Sequence, residues 1–120
     1  MDYSISMMNS SYTIQQTCWE NAQLELSDIR RKVFIEEQQV PEELEWDEFD
    51  HDSIHLLALN QQHQAIGCLR LLPDGHLGRM AVLAEWRGHG IGMALLHRAI
   101  EVAVARCPIC DKLTLNLRQL

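Results

Sequence analysis

The spacing of hydrophobic and polar positions divides the chain into short strands and two amphipathic helices. Three apolar runs in the middle of the chain are separated by turn residues, which predicts sequential antiparallel strands. Leu26, Ile29, Val33 and Phe34 form one apolar stripe at helical spacing, and Pro41 ends that helix. The predicted strands are 12–19, 53–60, 65–72, 76–83 and 112–117, and the predicted helices are 21–38 and one from about 88–92 to 106.

This element order, β-α-β-β-β-α-β, indicates an α/β (α+β) fold with helices packed on a sheet. A chain of 120 residues has room for one hydrophobic core, so residues 1–120 are predicted to form a single domain. Residues 1–10 are expected to be a loose tail. They show no secretory signal pattern, and no stretch approaches the ~20 apolar residues of a membrane span, so a cytoplasmic location without membrane contact is expected.

Charge narrows the range of partners. The formal charge of −7 argues against a nucleic-acid backbone as partner. Residues 33–69 contain no Lys or Arg, so their acidic residues form either a solvated surface or a field that attracts a cationic ligand. Trp46 and Phe49 are expected to hold this segment against the body of the protein. The acidic residues are Glu36, Glu37, Glu42, Glu43, Glu45, Asp47, Glu48, Asp50 and Asp52.

The four cysteines do not form a disulfide scaffold at this chain length. Cys18 and Cys68 have apolar neighbours and are interpreted as buried thiols. Cys107 and Cys110 have the spacing of half a metal or redox motif, but no second Cys pair or His pair completes it. A loop between a helix and a strand is the simpler interpretation, and no metal is expected.

The segment 87–92, Arg-Gly-His-Gly-Ile-Gly, places three alternating glycines between a strand and a helix. A dinucleotide fingerprint requires a different third spacing, and a P-loop requires a closing Gly-Lys-Ser/Thr. The remaining interpretations are a tight turn with close packing, or a helix N-terminus whose bare amides hold a phosphate. The second is favoured, because three glycines beside an Arg are more than a turn needs.

With Arg87, Gly90 and Gly92 following an apolar strand, the segment resembles the acetyl-CoA motif of the GNAT acyltransferases, Q/R-x-x-G-x-G/A. The segments IRRKVFIEEQQVPEELEWDEFD, HLLAL, RLLPDG and GRMAV are similar to the small bacterial ElaA/YjcF-like branch of that family. The resemblance extends over residues 19–116. It implies a mixed, mostly antiparallel sheet flanked by helices, with acetyl-CoA between splayed fourth and fifth strands.

The resemblance also implies roles for individual residues at the acetyl-CoA site. The backbone of the third predicted middle strand would pair with the pantetheine arm, and the glycine segment with Arg87 would hold the pyrophosphate. Asn116 would face the cofactor from the last strand. The predicted cofactor-binding residues are Met80, Ala81, Val82, Arg87, Gly88, His89, Gly90, Ile91, Gly92 and Asn116.

The implied activity is N-acetyl transfer to a primary amine of a small molecule or peptide, by direct attack in a ternary complex. An N–H of Met80 or Val82 would stabilise the oxyanion. Glu37 and His76 are the main candidate bases, and His76 would share a strand face with Val82 if no bulge intervenes. Predicted acceptor-binding residues are Glu37, Arg79 and Asp50, with a structural ion pair as the alternative for Arg79.

Relatives in this family usually continue for a further helix and one or two strands. The helix often carries a Tyr that protonates the departing thiolate, and no Tyr here matches it, so no general acid is assigned. The last predicted strand would have little cover, and an uncovered strand edge favours a homodimer or a partner. The alternative function is a non-catalytic or weakly active CoA-binding or interaction module.

Overall fold

A computed structural model describes residues 11–106 and 114–115, with side chains for 11–106. The elements follow the predicted order, with a π-helix and a 3₁₀ turn added. The strands are β1 (Tyr12–Thr17), β2 (Ile54–Asn60), β3 (Ala65–Leu71), β4 (His76–Val82) and β5 (Thr114–Leu115). The helices are α1 (Trp19–Arg30), the π-helix (Arg31–Glu37), α2 (Glu42–Glu45), the 3₁₀ turn (Ala84–Trp86) and α3 (Ile91–Arg106).

The strands form a single sheet in the order β1-β2-β3-β4-β5. The pairs from β1 to β4 are antiparallel, whereas β5 runs parallel to β4 and pairs with it at His76 and Leu77. The predicted mixed, mostly antiparallel sheet is therefore confirmed. Among the described residues, β4 has no strand on its outer edge beyond Leu77.

Helices cover both faces of the sheet, so the protein has three layers and two apolar clusters. Alternation along a strand sends neighbouring side chains to opposite faces. Accordingly, Leu57 of β2 packs under α1, while its neighbours Leu56 and Ala58 pack under α3. The α1 cluster contains Trp19, Ala22, Leu26, Ile29, Val33, Phe34, Leu57, Cys68 and Ala81, and the α3 cluster contains Leu56, Ala58, Ile66, Leu69, Leu71, Leu77, Ile91, Leu95 and Ala99.

The first helix differs in two ways from the predicted continuous helix 21–38. It begins at Trp19, whose buried ring belongs to the α1 cluster, and it changes to a π-helix at Arg31. The Gln38 N–H donates to the Val33 carbonyl, five residues earlier, at 3.0 Å. Gln39 then takes a positive φ of 63°, which stops the helix before Pro41. Helical periodicity predicts the apolar stripe correctly but does not distinguish a π-turn from an α-turn.

Strand β4 contains a bulge that reverses the facing of its side chains. Cys68 pairs with Ala81 and Arg70 pairs with Gly78, so β4 has one residue more than β3 between these pairs. Within the bulge Arg79 has a positive φ of 49°. Leu77 and Val82, five residues apart, therefore both pack on the α3 side, which an unbroken strand does not allow.

Candidate active site

A groove of about 410 Å³ lies along β4 where this strand, the π-helix and the N-terminus of α3 meet. Most of its lining is apolar, and Arg87 is the one charged side chain among the described lining residues. The lining residues are Val33, Gln38, Met80, Ala81, Val82, Trp86, Arg87, Gly88, Gly90, Ile91, Gly92 and Met93. The structure thus brings most of the predicted cofactor-binding residues into one concave surface.

The three glycines of segment 87–92 serve two different purposes. Gly88 and Gly90 have positive φ angles of 86° and 79°, and a Cβ at either position would meet no atom within 4 Å. At Gly92 an added Cβ would lie 3.4 Å from the Met80 Cε, which is an ordinary van der Waals contact, so Gly92 packs beside Met80. The first two glycines therefore satisfy a backbone requirement and also leave open space above the segment.

That open space lies at the N-terminus of α3. The Ala94 N–H donates to the Gly90 carbonyl at 3.0 Å, which begins the ladder of the helix. The amides of Ile91, Gly92 and Met93 precede this bond and belong to the first turn, where N–H groups have no intrahelical acceptor. Such a turn carries partial positive charge and suits a phosphate group.

The bulge orients a second backbone donor. The Cys68 thiol on β3 donates to the Arg79 carbonyl at 3.4 Å. The peptide that joins Arg79 to Met80 is trans, so its N–H points opposite to its carbonyl. The Met80 N–H therefore points away from the Cys68 thiol. Met80 and Val82 both line the groove, and their N–H groups remain the predicted oxyanion donors.

Arg87 and Glu37 are bonded to each other on the rim of the groove. The Arg87 Nη1 and Nη2 donate to the two Glu37 carboxylate oxygens at 2.6 Å each, and Arg87 Nε donates to the Val82 carbonyl at 2.9 Å. The hydrogen bond from Arg87 holds the pKa of Glu37 below its usual value. Arg87, a predicted cofactor-binding residue, is thus hydrogen-bonded to Glu37, a predicted base.

His76 and His89 do not line the groove. His76 is 46% exposed and lies 2.8 Å from the Asp74 carboxylate. The bulge lies between His76 and Val82, so the condition for a shared strand face is not met, and the two residues lie about 20 Å apart along the strand. His89 is exposed, and its Nδ1 lies 3.0 Å from the Trp86 carbonyl.

Asp50 lies away from the groove, inside a buried ion cluster. This cluster consists of Arg30, Arg70, Glu45, Asp47 and Asp50. It attaches the acidic segment around residues 45–50 to α1 and β3. Arg30 donates to Glu45 at 2.8 Å and to Asp50 at 2.7 Å. Asp50 is only 2% exposed, and Arg70 donates to it at 3.1 Å and to Asp47 at 2.7 Å. The acidic segment is therefore only partly a solvated surface.

Burial and the charges of the ion cluster shift the pKa values of Arg30, Asp47 and the neighbouring His55. Burial opposes the charge on Arg30, but its bonds to Asp50 and Glu45 outweigh burial and raise its pKa. For Asp47, burial is likewise outweighed by Arg70, and the pKa is lowered. Burial lowers the pKa of His55, whose Nε2 lies 2.9 Å from the Asp50 carbonyl.

Arg79 joins the edge of the same cluster. It lies 3.1 Å from the Glu45 carboxylate and 3.2 Å from the Asp47 carboxylate. The structural ion pair considered for Arg79 is therefore present, with Glu45 and Asp47 as partners. Trp46 packs over the Arg30 guanidinium at 5.2 Å as an anchor, whereas Phe49 is 47% exposed and the expectation that it anchors the segment is wrong.

Sequence reasoning missed four residues that line the groove: Val33, Gln38, Trp86 and Met93. The helical pattern places Val33 in the core stripe, and nothing in that pattern shows that the π-helix turns it and Gln38 toward β4. The described residues hold no group of three or more His, Cys, Asp or Glu placed for a metal ion. Asn116, Cys107 and Cys110 lie outside the described residues.

Within the described residues, a glycine-rich helix N-terminus lies beside a β4 edge that carries no further strand beyond Leu77. The chain belongs to the acetyltransferase (GNAT) family, whose sequence pattern matches residues 12–119. YjcF of Bacillus subtilis, named an uncharacterized N-acetyltransferase, is 35% identical over 80 residues, which are 64% of this chain and 56% of YjcF. The chain spans about half the length of the Bacillus subtilis relatives that it matches.

Solved structures agree with this assignment. An acyl-CoA N-acyltransferase from Pseudomonas aeruginosa is 29% identical with a TM-score of 0.70, over 81% of this chain and 73% of the other. Escherichia coli ElaA superposes with a TM-score of 0.73 at 23% identity, over 84% and 74% of the two chains, which shows the shared fold. The resemblance to the GNAT family is confirmed. No helix within the described ranges is long and apolar enough to cross a bilayer.

Proposed function

We propose that this protein transfers the acetyl group of acetyl-CoA to a primary amine of a small molecule or peptide, by direct attack in a ternary complex. The observation that carries the proposal is the continuous groove from the open edge of β4 to the first turn of α3. Its exposed strand edge and its first-turn amides support a proposal in which the ligand has an amide-containing arm and a pyrophosphate. Family membership supports the same reaction class.

Each part of the groove has a chemical task in this proposal. The backbone of Met80–Val82 pairs with the pantetheine arm as an additional strand would, and the Gly88–Gly92 segment holds the pyrophosphate. The Met80 N–H donates to the oxyanion that forms when the amine attacks the thioester carbonyl. Asn116 is proposed to contact the cofactor from the β5 side.

The acceptor amine must be neutral when it attacks, so a base is useful. Glu37 is the proposed base, since its carboxylate lies on the rim next to Gln38, which lines the groove. His76 and Asp50 have no part in this proposal because neither lies on the groove. Arg79 supports the bulge through its bonds to the acidic segment.

Donor binding and turnover test this proposal separately. Isothermal titration calorimetry with CoA measures donor binding, and thiol release from acetyl-CoA with a panel of primary amines measures transfer. We expect CoA binding, and thiol release above the amine-free rate for at least one amine. A folded chain that does not bind CoA would rule out the donor site.

One observation favours a second candidate, a non-catalytic CoA-binding module. No carboxylate or imidazole belongs to the described lining of the groove, and the adjacent Glu37 is held by Arg87. CoA binding without transfer to any amine, under conditions in which a related acetyltransferase turns over, would establish this second function.

We also propose a cytoplasmic homodimer. Acetyl-CoA carries a pyrophosphate and does not cross a bilayer unaided, so we expect the reaction to take place in the cytoplasm, where acetyl-CoA is made. Exposed Ile100 and Val104 on α3 support association with a second copy. A stable monomer in sedimentation experiments at micromolar concentration would contradict the dimer.

A further inference from the structure

The Arg87–Glu37 ion pair joins the proposed donor site to the proposed acceptor site. The two side chains meet through a bidentate contact of 2.6 Å although they are fifty residues apart in sequence. Arg87 lines the groove beside the glycine segment, and Glu37 ends the π-helix next to Gln38, which lines the groove as well. Any change of partner by Arg87 therefore affects both sites.

A pyrophosphate in the groove would compete with Glu37 for Arg87. The guanidinium fork suits carboxylate and phosphate oxygens alike, and a ligand with two negative charges attracts it more strongly than one carboxylate does. Water reaches the existing pair, since the Arg87 and Glu37 side chains are 42% and 43% exposed, and this screening limits its strength. Glu37 has solvent beside it, so it is able to turn away without burying its charge.

We propose that Arg87 exchanges Glu37 for the pyrophosphate when CoA binds, and that the released Glu37 carboxylate then receives the acceptor ammonium. The inference rests on the proposed function and adds an order of events to it. Glu37 acts on the donor site through Arg87 and is in that respect a positioning residue. The Val82 carbonyl keeps its bond to Arg87 Nε, so the arginine stays on the rim throughout.

The exchange makes Glu37 a competitor of CoA for Arg87. Removal of the Glu37 charge should therefore increase the affinity for CoA. Glu37→Gln removes the competing charge, so we expect CoA to bind about two- to fivefold more tightly at low ionic strength. Glu37→Asp keeps the charge and should remain close to the wild type. Arg87→Met should weaken binding, and Glu37→Gln should bring no gain in that background.

Calorimetric titration of the full chain with CoA measures these effects without knowledge of the acceptor. Glu42→Gln is the matched control, because Glu42 forms a comparably exposed ion pair of 2.7 Å with Arg31, and neither residue lines the groove. The CoA affinity of this variant should equal that of the wild type. Glu37→Ala gives a second removal of the charge if the Gln variant folds poorly by circular dichroism.

Three results would overturn the exchange. The first is weaker or unchanged CoA binding in Glu37→Gln and Glu37→Ala, as a purely structural pair predicts. The second is an equal effect of Glu37→Asp and Glu37→Gln, because geometry and not charge would then be responsible. The third, a folded wild-type chain that does not bind CoA, would contradict the proposed function itself and is distinguished by the wild-type titration alone.

Discussion

The buried ion cluster and the rim of the groove use the same arginine–carboxylate chemistry with opposite consequences. Arg30 is fully enclosed with Glu45 and Asp50, whereas Arg87 and Glu37 are each about two fifths exposed. Loss of one partner inside the protein leaves an uncompensated charge there, but on the rim water replaces it. The comparison teaches that burial decides whether an ion pair maintains the fold or is free to change partners.

The largest expected effect is on the buried side of this comparison. Arg30→Met leaves Glu45 and Asp50 without their main cation, so we expect a loss of about 3–5 kcal/mol in the free energy of unfolding. Urea denaturation followed by circular dichroism measures it. Arg31→Met, which removes an exposed pair at the neighbouring position, should cost far less, because water replaces the lost partner. Equal losses in the two variants would contradict the assigned difference.

On the rim, the expected effect is on binding more than on stability. Gly90→Glu places a carboxylate in the open space where the pyrophosphate is proposed, so CoA affinity should fall by more than about tenfold. Gly75→Glu is the matched control, since Gly75 also has a positive φ, 98°, but lies in the turn between β3 and β4. Both variants carry similar backbone strain, about 1–2 kcal/mol. Calorimetry should show that only the first loses CoA, and equal affinities would remove the phosphate assignment.

The smallest expected effect is a pH dependence that arises from the buried side. The folded protein lowers the pKa of His55 through burial, so the unfolded chain binds its proton more readily. The contribution of His55 to stability is complete above its unfolded pKa of about 6.5 and declines as the pH falls toward the folded value. The slope from this one group cannot exceed about 1.4 kcal/mol per pH unit. Urea denaturation between pH 7 and 5 should show the decline in the wild type, and a flatter profile in His55→Gln.

A further loss is expected at lower pH, since Asp47 has a lowered pKa because Arg70 outweighs its burial. Its contribution is present above the unfolded pKa of about 3.8 and is lost as the pH falls through the folded value. Glu37 is exposed, and its pairing should add little to either decline. An unchanged profile in His55→Gln would show that other groups cause the first decline.

Structural features that depend on neighbouring residues were predicted from the sequence with good accuracy. The strands β2, β3 and β4 begin and end within one residue of the expected positions, because alternation and turn residues act over short distances. The glycines of segment 87–92 indicate a helix N-terminus with open amides, because a residue without a Cβ leaves the backbone accessible there.

The missed features depend on residues far apart in the chain. The acidic run indicated a surface or a ligand field, yet Glu45 and Asp50 are buried because Arg30 and Arg70 reach them from α1 and β3. The presence of Arg70 within an apolar strand was a signal for this, but it did not identify a partner. The bulge at Arg79 likewise follows from the pairing of β4 with β3. Because of it, His76 and Val82 do not have the even spacing that would place them on one strand face.

The sequence by itself determined the element order, the apolar stripe of the first helix, the glycine segment and the family. These properties are encoded in neighbouring residues, where periodicity and backbone preference act directly. Only the tertiary structure decided that Arg87 meets Glu37, that Asp50 is enclosed and that β4 carries a bulge at Arg79. The physical reason is that charge partners and strand register are chosen by packing between distant segments, and short-range patterns carry no record of that choice.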